Sequence, residues 1–273
     1  MMNAEPSFVP QRVADPAAAF ALLRTAGAAI LTDAGASRED ARGIAARILG
    51  GLAPVIPDPA PIKEGGGNKD RSYDTMPGVD HFTVPFQSGH TDGFAYGDAY
   101  PDYIFLLCVR PATSGGESLC IDTYAMLDAL RDASDAEDRA FYDFLTSEPV
   151  EQTEPGFRSS LAPVVLDNGR GRRMSRWTPI QRPNATLAES ERARQAALLE
   201  RWTTMTYRAS VRAPKFTLQP GEALCLDNYR MLHGRTGFDD TERTLWRIWA
   251  WTNEVLRVPE GMLFSDSRFA VTS

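Results

Sequence analysis

The chain is poor in the residues that most often carry metal, nucleophile and disulfide chemistry: its 273 residues include three histidines and three cysteines. Cys108, Cys120 and Cys225 are too few and too scattered for a disulfide framework. Each lies in an apolar, strand-like run, which predicts buried, reduced thiols. No apolar run approaches the length of a membrane span, and Met1 to Pro10 lack the basic-then-apolar pattern of a secretory signal. Positive charge is short too. With 29 Lys and Arg against 36 Asp and Glu, the net charge of −7 argues against nucleic acid or an anionic membrane as the main partner. No period of self-similarity occurs, which excludes solenoids and propellers. These absences point to a cytoplasmic, soluble protein and leave a small-molecule partner open; the oligomeric state is not legible. What is present is core material, 43% hydrophobic and 10% aromatic, enough for one large core in a single domain over residues 1–273.

Taken in order, the chain opens with helices. Asp15-Pro16 before Ala17 to Ala26 reads as an N-cap with proline in the first turn. Ala28 to Thr32 is a short strand. Ser37 with Asp40 makes a capping box in which Asp replaces the usual Glu, opening a helix to Leu49. The helical N-terminal part thus spans about 1–52. A proline-rich tract with Gly65-Gly66-Gly67, about 53–78, reads as a mobile loop near the site or a plain surface insertion.

Strands dominate from about 80 to 253. His81 to Phe86 is β-like. Asp102 to Arg110 is a near-continuous apolar run, as expected of a strand buried on both faces. Glu117 to Ile121 is the next strand, and Asp122 caps a helix to Leu130, with another from Ser134 to Leu145. Asp167 to Gly171 reads as a hairpin loop between Val164–Leu166 and Arg172–Trp177. The run Arg170, Arg172, Arg173, Arg176 then falls on a solvated hairpin. A helical insertion covers about 185–210. Phe216–Leu218, the Pro220-Gly221 turn and Ala223–Leu226 form a further hairpin, and Thr244 to Thr252 is the last strand. The fold is mainly β, a barrel or sandwich with the site in its mouth.

The scarcity of histidine narrows the search for a site. His90 and Asp92 are two apart, so on a strand they project from one face. His233, in Leu232-His233-Gly234-Arg235, is the better third partner; His81 reads as a structural histidine in a strand. Two imidazoles and one carboxylate on one face of an octahedron leave three positions open, the facial triad of non-haem Fe(II) oxygenases. A serine hydrolase built on Ser88 or Ser118 with His233 and Asp227 is disfavoured, because neither serine lies in a Gly-x-Ser-x-Gly elbow.

Four motifs in this order resemble the Fe(II)/2-oxoglutarate-dependent dioxygenases of the taurine dioxygenase and clavaminate synthase type. They are His90-Thr91-Asp92-Gly93; Pro111 through Asp122; Pro220-Gly221-Glu222 to Asp227-Asn228 with His233-Gly234-Arg235-Thr236; and Arg243-Thr244-Leu245-Trp246-Arg247. The resemblance implies a double-stranded β-helix (jelly-roll, cupin-like) core, with Fe(II) as cofactor and 2-oxoglutarate and O2 as co-substrates. It makes His90, Asp92 and His233 the catalytic metal ligands, and Arg243 and Ser118 the anchor for the distal carboxylate of 2-oxoglutarate. A planar, permanently charged guanidinium suits that carboxylate. Arg247 shares the strand face of Arg243 and reaches either 2-oxoglutarate or an anionic substrate group. Because halogenases of this architecture lack the carboxylate ligand, Asp92 favours hydroxylation. Desaturation or cyclisation would use the same residues, and a non-catalytic sensor of the same fold would use the same ligands. Phe86, Gln87, Phe94, Tyr96 and Arg247 are candidates for the substrate pocket, and an amino acid or derivative from secondary metabolism is the substrate class the analogy favours.

Overall fold

The computed structural model describes residues 6–52, 55–62, 86–152, 159–167, 169, 171–178, 180–238, 240, 242–261 and 263–265, with the backbone alone for Phe86, Gln87 and Ala95. The N-terminal part runs β1 (Arg12–Val13), α1 (Pro16–Thr25), β2 (Ala28–Leu31), α2 (Arg38–Leu49) and β3 (Ala60–Ile62). Next come β4 (Phe86–His90), β5 (Tyr103–Arg110), β6 (Ser118–Asp122), α3 (Thr123–Arg131) and α4 (Ala136–Ser147). Short strands β7 (Val150–Gln152), β8 (Ser160–Ala162), β9 (Val165–Asp167), β10 (Arg173–Ser175) and β11 (Gln181–Arg182) lead to α5 (Glu189–Arg212). The chain then forms β12 (Ala223–Asp227), β13 (Met231–Thr236) and β14 (Thr244–Ala250).

Local chemistry sets the helix starts. Asp15 caps α1 ahead of Pro16, the Ser37/Asp40 box opens α2, and the Asp122 carboxylate accepts from the backbone of Tyr124 and Ala125 at the head of α3. Among the described residues no helix is long and apolar enough to cross a membrane.

Two sheets enclose the core. The larger has strand order β1-β2-β12-β5-β14-β3 and the smaller β4-β13-β6. β5 lies at the centre of the larger sheet and alternates between two interiors, as its unbroken apolar run predicts. Tyr103, Phe105 and Leu107 face Leu23, Ile44 and Ile48 of α1 and α2. Ile104 and Cys108 face inward, sharing a core with Leu224, Leu226 and Trp249 and with Cys120 and Met231 of the smaller sheet. The outer face of the smaller sheet, Leu119, Ile121 and Leu232, is covered by Leu127, Phe141, Leu145 and Trp202 of α3, α4 and α5. Each such large side chain contributes on the order of 2 kcal/mol through burial. All three cysteines are buried and unpaired.

Three expectations need correction. The turn at Pro220-Gly221 forms, with Glu222 N–H donating to Gln219 O, but no hairpin follows. Phe216 exchanges backbone bonds with Ser118, whereas β12 pairs with β2 and β5. Its apolar side chains, buried at every position, gain more in the middle of a sheet than beside their own turn. The arginine run does form part of a hairpin, β9 with β10, yet Arg172 and Arg176 are buried, not solvated. Arg172 donates to Asp102 and Asp227 at 2.8 Å each and lies over the rings of Tyr103 and Tyr229. Arg176 donates to the carbonyls of Val150, Ala162 and Pro163. The proline-rich tract is strand in part, since β3 pairs with β14; residues 53–54 and 63–78 lie outside the described residues, as does His81.

Candidate metal centre

The register of β13 against β4 places His233 opposite His90, with ring centroids 4.5 Å apart. Gly89 allows this close packing: a Cβ there would lie 2.8 Å from Ile121 Cδ1, and its N–H donates to Ser210 of α5. Asp92 follows just past the end of β4. Its backbone N–H donates to Asn228 Oδ1 at 3.2 Å, and its carbonyl accepts from Asn228 Nδ2 at 2.9 Å. Thr91 turns the other way and is tied to Ser175 and Trp177. Gly93 then takes φ +107°, where a Cβ would strike Pro101. A strand end, an asparagine clamp and a glycine turn thus aim the carboxylate back at the two imidazoles.

The donor atoms of His90, Asp92 and His233 all lie within 4.8 Å of one another, and all three residues are buried. His90 Nε2 is 3.5 Å from Asp92 Oδ1, and His233 Nε2 is 4.0 Å from Asp92 Oδ2. Ligand atoms at about 2.1 Å from a common ion on one octahedral face are about 3 Å apart, so small side-chain shifts close the site on a metal. His90 Nδ1 is 3.1 Å from Ser88 O, which fixes its proton there and leaves the Nε2 lone pair for a metal.

The electrostatics favour the ligand protonation states. Burial and the adjacent His90 push His233 down to about 3, so the ring is neutral at physiological pH. Burial pushes the Asp92 carboxyl up, but the Arg247 guanidinium and both histidines more than reverse it and hold it well below the usual carboxylate range. Neutral imidazole and ionised carboxylate are the forms a divalent metal requires. On the carboxylate, Oδ2 accepts from Arg247 Nη1 and Trp249 Nε1, each at 3.1 Å.

Further along β6 and β14 lie the other expected residues. Ser118 is buried at the start of β6 and pairs in register with Arg235 of β13. Arg243 is buried just before β14, and the guanidiniums of Arg235 and Arg243 lie 4.8 and 4.7 Å from the ring of Phe238. A solvated edge for Arg243 is therefore excluded. Arg247 lies against Asp92 and also donates from Nε to Ser265 O at 2.8 Å. Phe94 packs on the cluster of Tyr100, Met174 and Tyr229, and Tyr96 stands edge-on to Trp249 and Trp251. The side chains of Phe86 and Gln87 lie outside the described residues. The hydrolase triad does not assemble: the Asp227 carboxylate is held by Arg172 and the Tyr229 N–H.

Sequence reasoning missed Trp249, Asn228 and Arg235. Two of these carried a signal, because Trp249 alternates with Arg247 and Arg235 with His233 on the same strand faces.

Comparison with known proteins settles the lineage. The model of the family described as taurine catabolism dioxygenase TauD, TfdA matches residues 6–249. The chain belongs to this family. The family's description is that of a dioxygenase. The chain is 28% identical over 166 residues to the gamma-butyrobetaine dioxygenase of Pseudomonas sp. (strain AK-1), covering 58% of this chain and 40% of that protein. The chain thus matches well under half the length of this curated relative. Its fold is similar to that of PvcB from Pseudomonas aeruginosa (18% identity, TM-score 0.55, covering 88% of this chain and 81% of that one). It is also similar to an asparagine oxygenase solved with Fe(II), 3-hydroxyasparagine and succinate (21% identity, TM-score 0.50, covering 85% and 78%).

Proposed function

We propose that this protein hydroxylates an unactivated C–H bond of a small zwitterion, an amino acid or derivative of secondary metabolism, with release of succinate and CO2, as a cytoplasmic enzyme with a double-stranded β-helix core. The observation that carries this is the convergence of two of the chain's three histidines with one carboxylate, all three buried. His90 Nε2, one oxygen of Asp92 and one ring nitrogen of His233 would hold Fe(II). Bound iron with 2-oxoglutarate and O2 supplies the oxidising power needed to break such a bond.

The chain's own residues do the rest. Arg243 and Ser118 anchor the distal carboxylate of 2-oxoglutarate, and the buried Arg235 next to Ser118 adds positive charge on that side. Arg247 neutralises Asp92 and places a cation beside the metal ligands, where an anionic substrate group could be met. The inward-facing Trp249 and Trp251 exclude water. The substrate class is supported by the names of its relatives: taurine, γ-butyrobetaine and asparagine all carry an amine or quaternary ammonium together with an acid group.

The test is succinate release in air from protein supplied with Fe(II), 2-oxoglutarate and a panel of amino acids and betaines, with mass analysis of the products. A mass gain of one oxygen, lost in Asp92→Ala, is expected. Loss of two hydrogens would redirect the reading to desaturation or cyclisation. Fe(II) and 2-oxoglutarate binding without succinate release on any substrate would favour a sensor of the same fold.

A further inference from the structure

The C-terminal segment Leu263 to Ser265 lies beyond the residues matched by the family, yet it touches both groups that hold the Asp92 carboxylate. Ser265 O accepts from Arg247 Nε at 2.8 Å, and Ser265 Oγ accepts from the backbone N–H of Trp249 at 3.1 Å. Those two residues donate to Asp92 Oδ2, through Arg247 Nη1 and Trp249 Nε1. The segment is itself fastened. Tyr96, four residues after Asp92, donates its hydroxyl to Phe264 O at 3.2 Å and accepts from Phe264 N–H at 2.8 Å. Leu263 packs on the inter-sheet core, and Ser265 is 1% exposed. An exposed tail with no structural role would show neither burial nor this set of paired bonds.

We infer that residues 263–265 form a strap that positions the metal-binding carboxylate, with Ser265 acting through Arg247 and Trp249. Two donors on Oδ2 occupy that oxygen's lone pairs and leave Oδ1, which faces His90 Nε2, as the one presented to a metal. A metal held by this triad would then be met by one carboxylate oxygen, Oδ1, with Oδ2 kept on its two donors. With the strap loosened, Arg247 and Trp249 lose the contacts that fix their own geometry, and Oδ2 becomes free to rotate toward the metal. Partners that orient metal ligands in this way typically account for 10–100-fold in metal affinity.

The inference rests on the metal reading of the triad, and its test separates the two. Co(II) is titrated, anaerobically and without co-substrate, into the full chain and into two variants. One is Tyr96→Phe combined with Ser265→Ala, which unfastens the strap; the other is Trp249→Phe, which removes the indole donor and keeps the bulk. The Co(II) dissociation constant, the visible ligand-field band and the Trp249 indole N–H resonance are the readouts. Expected are an approximately tenfold or larger loss of Co(II) affinity in the strap variant, a changed band, and a shifted indole N–H. Combining both variants should give less than the product of the separate losses, because both act through Oδ2. A strap variant whose Co(II) affinity stays within about twofold of wild type, with an unaltered band, overturns the inference even if its melting temperature falls. Wild-type protein that binds no Co(II) would overturn the metal reading instead.

Discussion

Replacing Arg172 by methionine keeps the length of the side chain and removes a cation that two buried carboxylates share. Arg172 Nη1 and Nη2 donate to Asp102 and Asp227 at 2.8 Å each, and the guanidinium lies 4.9 and 5.0 Å from the ring centroids of Tyr103 and Tyr229. Removing one partner of a buried pair costs about 3–5 kcal/mol, because a charge is left uncompensated. Loss of the ring contacts adds to that. For a chain of this size, 3 kcal/mol corresponds to roughly 6–12 °C in Tm.

The deficit should also depend on pH. Burial already holds Asp102 and Asp227 above the ordinary carboxylate range with Arg172 in place, and without it both rise further. A carboxyl whose folded pKa is raised binds its proton more readily folded than unfolded. Its unfavourable contribution is therefore full above the folded pKa and relieved as pH falls through it. Urea unfolding of wild type and Arg172→Met at pH 8 and pH 5 is the assay, with a larger loss at pH 8. A loss below about 1 kcal/mol, or one unchanged between the two pH values, would refute this account of the network.

Two further outcomes follow from the site. Arg243→Ala should weaken 2-oxoglutarate binding by about 10–100-fold, the worth of a charge-assisted hydrogen bond, while leaving Fe(II) affinity unchanged; calorimetric titration of each ligand checks both halves. In the metal-free protein, burial and His90 keep the His233 ring deprotonated down to about 3. Its NMR ring shifts at pH 5 should be those of neutral imidazole, where an unperturbed histidine would be protonated; protonation near pH 6.5 would contradict the environment described.

The parts of this protein that were legible in the sequence are those fixed by short-range periodicity. His90 and Asp92 are two apart, the capping residues sit beside their helices, and β5 advertises burial on both faces by its composition. What was not legible depends on which distant segments pair. Nothing local says that Phe216 bonds to Ser118 while Ala223 to Asp227 joins β2 and β5, so a good turn sequence was read as a hairpin. The arginine run misled for a related reason. Charge beside a turn is usually solvated, and the Asp102 and Asp227 carboxylates that make burial of Arg172 tolerable lie 70 and 55 residues away. Trp249 marks an intermediate case: its position two after Arg247 carries the signal of a shared face, but nothing in the sequence says that its indole N–H meets the carboxylate.

We propose that His90, Asp92 and His233 form an iron centre that chelates a 2-oxo acid. The most direct test is an anaerobic titration of metal-free protein with Fe(II) and then 2-oxoglutarate, followed in the visible spectrum. A weak charge-transfer band that needs both components, and that is lost in His233→Ala, is the predicted result. Folded, iron-loaded protein that shows no band with saturating 2-oxoglutarate would contradict it.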